Sequence, residues 1–149
     1  MRNHQREEIL EPNENIGDIT TPIQADPTSI EESRKMAIKI AQLADDRNCT
    51  NVVVLELSGI SPLAQHFVIA TGTSSPQIRS VADEIEVMGK HTNWRAYGKA
   101  GMQEGRWAIV DLVDIIVHVF DEEFRKFYDL ELLWGDAPRI DWQAEPRQD

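Results

Sequence analysis

The chain of 149 residues has room for one domain with a modest core and an extension, and its 41% hydrophobic and 28% charged residues are those of a soluble globular protein. Its 26 acidic against 15 basic residues leave a net charge of −11, which argues against tight direct binding to a phosphate backbone and is equally compatible with steering toward basic partners and with acidity that merely keeps the chain soluble. No apolar run approaches the ~18–20 residues of a membrane span, nothing at the start resembles a secretory or transit signal, and the lone Cys49 has no internal partner, so a reducing cytoplasm is the expected compartment.

Residues 1–27 carry scattered apolar positions and three prolines without a sustained period, and read as a disordered extension. A capping box, Ser29 with Glu32, then precedes an amphipathic helix whose stripe is Met36, Ala37, Ile40, Leu43 and Ala44. The β-branched NVVVLEL predicts a strand, SGISPLAQ a loop, and HFVIATG a second, fully buried strand stopped at Gly72. Ser75 as N-cap and Pro76 at the first helical position open a second helix with Ile78, Val81, Ala82, Ile85 and Met88 inside. NWRAY reads as a short strand and GKAGMQEGR, with three glycines, as a mobile loop. WAIVDL and IIVHVF predict an antiparallel hairpin turning near Val113 and Asp114, without the Asn-Gly or Asp-Gly of a tight primed turn. FDEEFRKFYDLELLW is helical after Phe120, and the Pro-broken residues 138–149 read as a flexible tail. This order gives a single α/β domain over residues 28–137, with a mixed sheet of about five strands and helices packed on it.

The last helical segment holds more apolar surface than one face can bury. At about 100° per residue, Phe124, Phe127, Tyr128, Leu130, Leu132 and Trp134 spread over roughly 200°, with Arg125, Lys126 and Asp129 in most of the remainder. Either the helix is sandwiched between sheet and tail, or part of it is exposed as an interaction surface, a role that suits Tyr and Trp. Glu131 lies inside the apolar arc and is expected to be paired or at a rim.

Signs of catalysis are sparse. The turn TGTSSPQ has no Walker or dinucleotide pattern and no basic residue, so capping explains it better than phosphate binding. A nucleotidyl-transferring site needs carboxylates gathered around Mg²⁺, but Gly72 is followed by a helix bearing Asp83, Glu84 and Glu86, while Asp111 and Asp114 flank a turn. His118 shares a strand face with Ile116 and Phe120 and reads as a hydrogen-bonded core histidine, since no second histidine or thiol has ligand spacing. Cys49 reads as a small buried hydrophobe, and no G-x-S-x-G elbow supports a serine nucleophile.

Three stretches taken together carry a family resemblance: FVIATGTSSPQIRSVADEI, EGRWAIVDLVDIIVHVF and EEFRKFYDLELLW. The ordered set W-x-x-x-D, V-H-x-F and R-x-[FY]-Y-[DN]-L-E-x-L-W resembles that of the ribosomal silencing factor, or Iojap-like, family, over about Thr28 to Ala137. The resemblance implies a non-enzymatic repressor of translation with no cofactor, on a nucleotidyltransferase-like fold lacking the catalytic acids. It implies binding to the large ribosomal subunit through ribosomal protein L-fourteen, blocking the small subunit from joining. Carried over by motif, the binding residues are Trp107, Leu112, Tyr128 and Asp129. Two departures stand out: Gln65-His66 where many members have Asp-Tyr, and Val113 where the turn usually has Gly. The competing readings are a nucleotidyltransferase-like enzyme using Mg²⁺ and a nucleotide, and an adaptor using the same aromatic surface on another protein. Self-association into a homodimer through that surface is left open.

Overall fold

Helix α1 (Pro27–Asp46) turns a stripe of Met36, Ala37, Ile40, Ala41 and Ala44 onto the sheet, and closes where Asn48 takes a left-handed conformation and the Cys49 amide reaches back to the Ala44 carbonyl at 3.0 Å. The computed structural model describes residues 27–92, 94 and 97–147, with side chains from Ile30 onward. The expected extension up to residue 26, and the Ser29 side chain of the expected capping box, therefore lie outside the described residues.

The strands follow as β1 (Thr50–Glu56), β2 (His66–Thr71), β3 (Gly98–Ala100), β4 (Trp107–Asp111), β5 (Ile115–Phe120) and β6 (Arg139–Ile140). They make one mixed six-stranded sheet, ordered β3-β4-β5-β2-β1-β6, against the five or so strands expected. The two most buried strands, β2 and β5, pair in parallel at the centre, His66 opposite Ile115 and Thr71 opposite Phe120; the remaining pairs are antiparallel. That placement explains their near-continuous apolar runs, since a strand covered on both sides has no polar face to present.

Between β2 and β3 runs helix α2 (Ser75–His91), burying Ile78, Val81, Ala82, Ile85 and Gly89. Its N-cap is Ser74, one residue earlier than expected: the Ser74 hydroxyl accepts from the Gln77 amide, and Gln77 Oε1 accepts from the Thr73 amide in return. Gly72 is required by packing, since a Cβ there would run into Ile78.

The third strand is Gly98–Ala100 rather than NWRAY, of which Asn93, Arg95 and Ala96 lie outside the described residues. The glycine-rich segment after it is tied down: Arg79 donates to the Met102 and Gln103 carbonyls, and Gly101 adopts φ 77 with no room for a Cβ beside the Trp107 carbonyl. The β4–β5 hairpin forms where expected. Its turn places Val113 at φ 73, with the Asp114 amide on the Leu112 carbonyl, a γ-turn pattern that a β-branched residue adopts only at a cost.

After β5 the expected single helix is two, α3 (Glu122–Tyr128) and α4 (Leu130–Leu133), broken at Asp129 with φ 45. The Asp121 side chain caps α3 by accepting from the Phe124 amide at 2.7 Å. The segment expected as a flexible tail is instead structural. β6 pairs Ile140 with Val54, and the following short 3₁₀ turn (Trp142–Ala144) buries Trp142, whose indole donates to the Val52 carbonyl. Its proline precedes the strand and leaves the pairing residues free, so Pro138 does not break the element.

The sheet therefore has two unlike sides. One is sealed by α1 and α2 around Val54, Val68, Ala70, Val110, Val117 and Val119. The other carries Leu55, Phe67, Ile69 and Phe120 beneath the α3–α4 elbow, with Trp107, Ile116, Phe124 and Trp134 only partly buried.

Candidate docking face

Alternation along β4 and β5 puts Trp107 and His118 on the second side of the sheet, and the start of the C-terminal segment brings α3 over them. The Trp107 ring stacks on Phe120 at 4.7 Å between centroids and meets Tyr128 at the same distance from above. Its indole Nε1 donates to Nδ1 of His118 at 3.1 Å. An indole is only a donor, so Nδ1 is the bare nitrogen and the histidine is neutral with its proton on Nε2. Burial pushes the His118 value down to about 4, keeping it neutral at physiological pH. The reading of His118 as a hydrogen-bonded core residue holds, and its particular task is to fix the tryptophan.

Tyr128 is 44% exposed, Phe127 79% and Leu132 77%, so the elbow turns a continuous apolar surface outward beside Trp107. Asp129 is exposed next to Tyr128, and no ion pair or hydrogen bond among the described residues uses its carboxylate. At the rim Arg106 lies over the Phe124 ring at 4.0 Å and pairs with Asp121 and Glu123. Burial pushes the Asp121 carboxyl up, but the Arg106 guanidinium and the Phe124 amide outweigh it and hold it below the usual carboxylate value.

The structure thus brings together Trp107, Tyr128 and Asp129. Leu112 is elsewhere: it is fully buried against Gly89 on the sealed side, just past the end of β4 and five residues from Trp107, or about 17 Å of extended chain. The odd–even alternation of a strand sends Leu112 to the opposite side from Trp107, so its side chain is not part of the exposed face. Its carbonyl accepts from the Trp94 indole, which ties the hairpin end to the segment after α2.

Arg125, which falls outside the apolar arc of the helical wheel, is nevertheless buried. Arg125 is 9% exposed, beneath the elbow, donating to the Asn51 carbonyl at 2.5 Å, to Thr71 Oγ1 at 2.8 Å and to both oxygens of Glu131 at 3.1 and 2.9 Å. Glu131 is paired as expected, with Arg139 a second, longer partner at 3.8 Å. Hydrogen bonding from Arg125 holds the Glu131 carboxyl below its usual value against the opposing effect of burial. A groove of about 540 Å³ runs alongside, between the β1 bulge and α3, but the Arg125 and Glu131 charges in its wall are spent on each other. Among the described residues no group of three or more His, Cys, Asp or Glu could hold a metal ion. Cys49 is buried, and burial with a smaller push from Asp45 raises its thiol to about 11, which makes it unreactive.

The model of the family described as ribosomal silencing factor during starvation matches residues 30–149. The chain belongs to the ribosomal silencing factor family. Within it, the Ribosomal silencing factor of Bacillus subtilis is 39% identical over 110 residues, covering 73% of this chain and 93% of that protein. The chloroplastic Iojap protein of Arabidopsis thaliana is 28% identical over 123 residues, covering 78% of this chain and 50% of that protein. A crystal structure of a Chromobacterium violaceum protein superposes with a TM-score of 0.64 at 33% identity, over 71% of this chain and 86% of that one. Ribosomal silencing factors are translational regulators and not catalysts, and this chain takes that class with the family. The match reaches past Ala137, so the β6 and Trp142 segment belongs to the family domain. Among the described residues no helix is long and apolar enough to cross a membrane.

Proposed function

We propose that this chain represses translation in the cytoplasm by seating on the large ribosomal subunit through ribosomal protein L-fourteen, where its bulk keeps the small subunit from joining. The observation that carries this reading is the open pair of Trp107 and Tyr128, fixed from below by His118 and Phe120, with the unpaired carboxylate of Asp129 beside them. Large, rigid aromatic rings with a polar edge are the residues that concentrate binding energy at protein interfaces. An exposed carboxylate at their border suits a basic partner. Leu112 enters as the residue that anchors the far end of the same hairpin from the sealed side. The mechanism needs no cofactor: each tenfold of affinity supplies about 1.4 kcal/mol against the competing subunit. In this reading the scaffold is a nucleotidyltransferase-like one emptied of its acids, which accords with the helix, in place of an acid-bearing strand, that follows Gly72.

Co-sedimentation with isolated large subunits tests the reading directly. Tyr128→Ala should lower affinity at least tenfold while leaving the melting transition cooperative; equal pelleting of both forms would remove this face from the proposal.

A further inference from the structure

Two residues of the last motif, Arg125 and Glu131, take no part in the exposed face, yet they make the densest polar contact of the open side. They are six residues apart. In an unbroken helix six residues turn through roughly 600°, leaving the two side chains about 120° apart in projection and about 9 Å along the axis. They meet because the backbone leaves the helix at Asp129, with φ 45, and restarts one residue later. The bidentate pair at 2.9 and 3.1 Å therefore belongs to the kinked form, and it joins the side chains of α3 and α4 directly across the kink. Arg125 is itself nailed to the sheet through the Asn51 carbonyl, which the β1 bulge turns toward it at φ 48, and through Thr71 Oγ1. A planar guanidinium serves here where an ammonium would not, because its donors point in fixed directions to three separate acceptors.

The kink decides what the face presents. It ends α3 at Tyr128, whose ring rests on Trp107, and it starts α4 so that Leu130 and Trp134 pack inward while Leu132 and the Asp129 carboxylate face solvent. A continuous helix would carry these side chains to other azimuths.

We propose that Arg125 and Glu131 are positioning residues: their ionic clasp holds Asp129 in the left-handed conformation and so sets Tyr128 and Asp129 in the geometry that docks. The clasp rests on the reading of Trp107, Tyr128 and Asp129 as docking residues given above. Glu131→Gln keeps the shape and removes the charge. In the full chain it should retain a cooperative melt, speed exchange of the Asp129 amide, which donates to the Arg125 carbonyl at 2.9 Å, at least tenfold, and weaken large-subunit co-sedimentation about tenfold. Thr71→Val, which removes one anchor without touching the elbow, should act in the same direction by about threefold. Asparagine takes the left-handed region more readily than aspartate does, so adding Asp129→Asn to Glu131→Gln should recover most of the affinity, measured against Asp129→Asn alone. Wild-type amide exchange or wild-type affinity in Glu131→Gln would overturn the proposal, and so would a loss that asparagine does not restore. If the wild-type chain itself failed to pellet, the docking reading would fall, while the exchange rate at Asp129 would still decide the clasp.

Discussion

The two sides of the sheet are built from different residues, and the difference separates what holds the domain together from what it offers. The sealed side is aliphatic: valines, alanines and isoleucines from α1, α2 and alternate strand positions fit each other closely, with tryptophans only at the margins. The open side gathers Phe67, Trp107, His118, Phe120, Phe124, Tyr128 and Trp134 under two short helices that cover part of it. Small branched side chains interdigitate and exclude water at little rotamer cost. Aromatic rings bring large area and a polar edge to a surface that is partly open to water. One buried histidine lies on each side: His66, hydrogen-bonded to Ser33 of α1 at 2.7 Å, and His118 under Trp107.

The contrast can be broken first on the sealed side. Ile40→Ala deletes a fully buried side chain there and should cost about 3–4 kcal/mol, whereas Tyr128→Ala on the open side should cost under about 1 kcal/mol. Urea melts of the two variants check it, and comparable losses would mean the open side is as much core as the other. The next effect is in pH. Burial, with Arg34 nearby, lowers His66 to about 4, and burial alone lowers His118 to the same value, against 6.5 for the unfolded chain. Between those values the unfolded chain binds protons that the folded one refuses. Stability complete above pH 6.5 therefore drains away as pH falls toward 4, by about 3 kcal/mol at most for each histidine. The depressed carboxyls of Asp121 and Glu131 add a further loss at lower pH, where the unfolded chain takes up protons on them before the folded one does. Denaturant melts across this range should lose about half of the slope with either His66→Gln or His118→Gln, so an unchanged slope in both would refute the assignment. The smallest effect sharpens the comparison from the hairpin end. Val113→Gly relieves a β-branched residue at φ 73 and should raise stability by about 0.5–1 kcal/mol without altering large-subunit binding. A binding change would show that the sealed end of the hairpin speaks to the open face.

Periodicity made most of the frame readable. The stripes of α1 and α2, the buried β2 and the hairpin all obey a repeat of 3.6 or 2 that their neighbours respect, and Cys49, His118 and Glu131 behave as their types and positions suggested. Reading failed where a single backbone angle overrides the repeat. Nothing in KFYDLELL announces that Asp129 turns left-handed, since both halves are good helix formers, and so one continuous helix is expected where the structure has two, with Arg125 buried at their join. A motif match says nothing of which side of the sheet a residue faces, and Leu112, two residues past the buried Val110, falls on the sealed side. The β6 strand escaped notice because two residues beside a proline have no period to detect, and only the fixed edge of β1 makes them a strand.

The parallel alignment of β2 with β5 also governs how the chain reaches this form. His66 and Ile115 are about fifty residues apart, and bringing them together costs about 3 kcal/mol of loop-closure entropy before any ladder bond returns it. The β4–β5 hairpin and α2 form from neighbours in the chain, so the slow event is the arrival of β2 at the hairpin's free edge, and the elbow can settle only once Thr71 and Asn51 are in place to receive Arg125. Substitutions in the central ladder will slow refolding, while those in the elbow will chiefly hasten unfolding. The elbow is thus expected to open before the aliphatic core does.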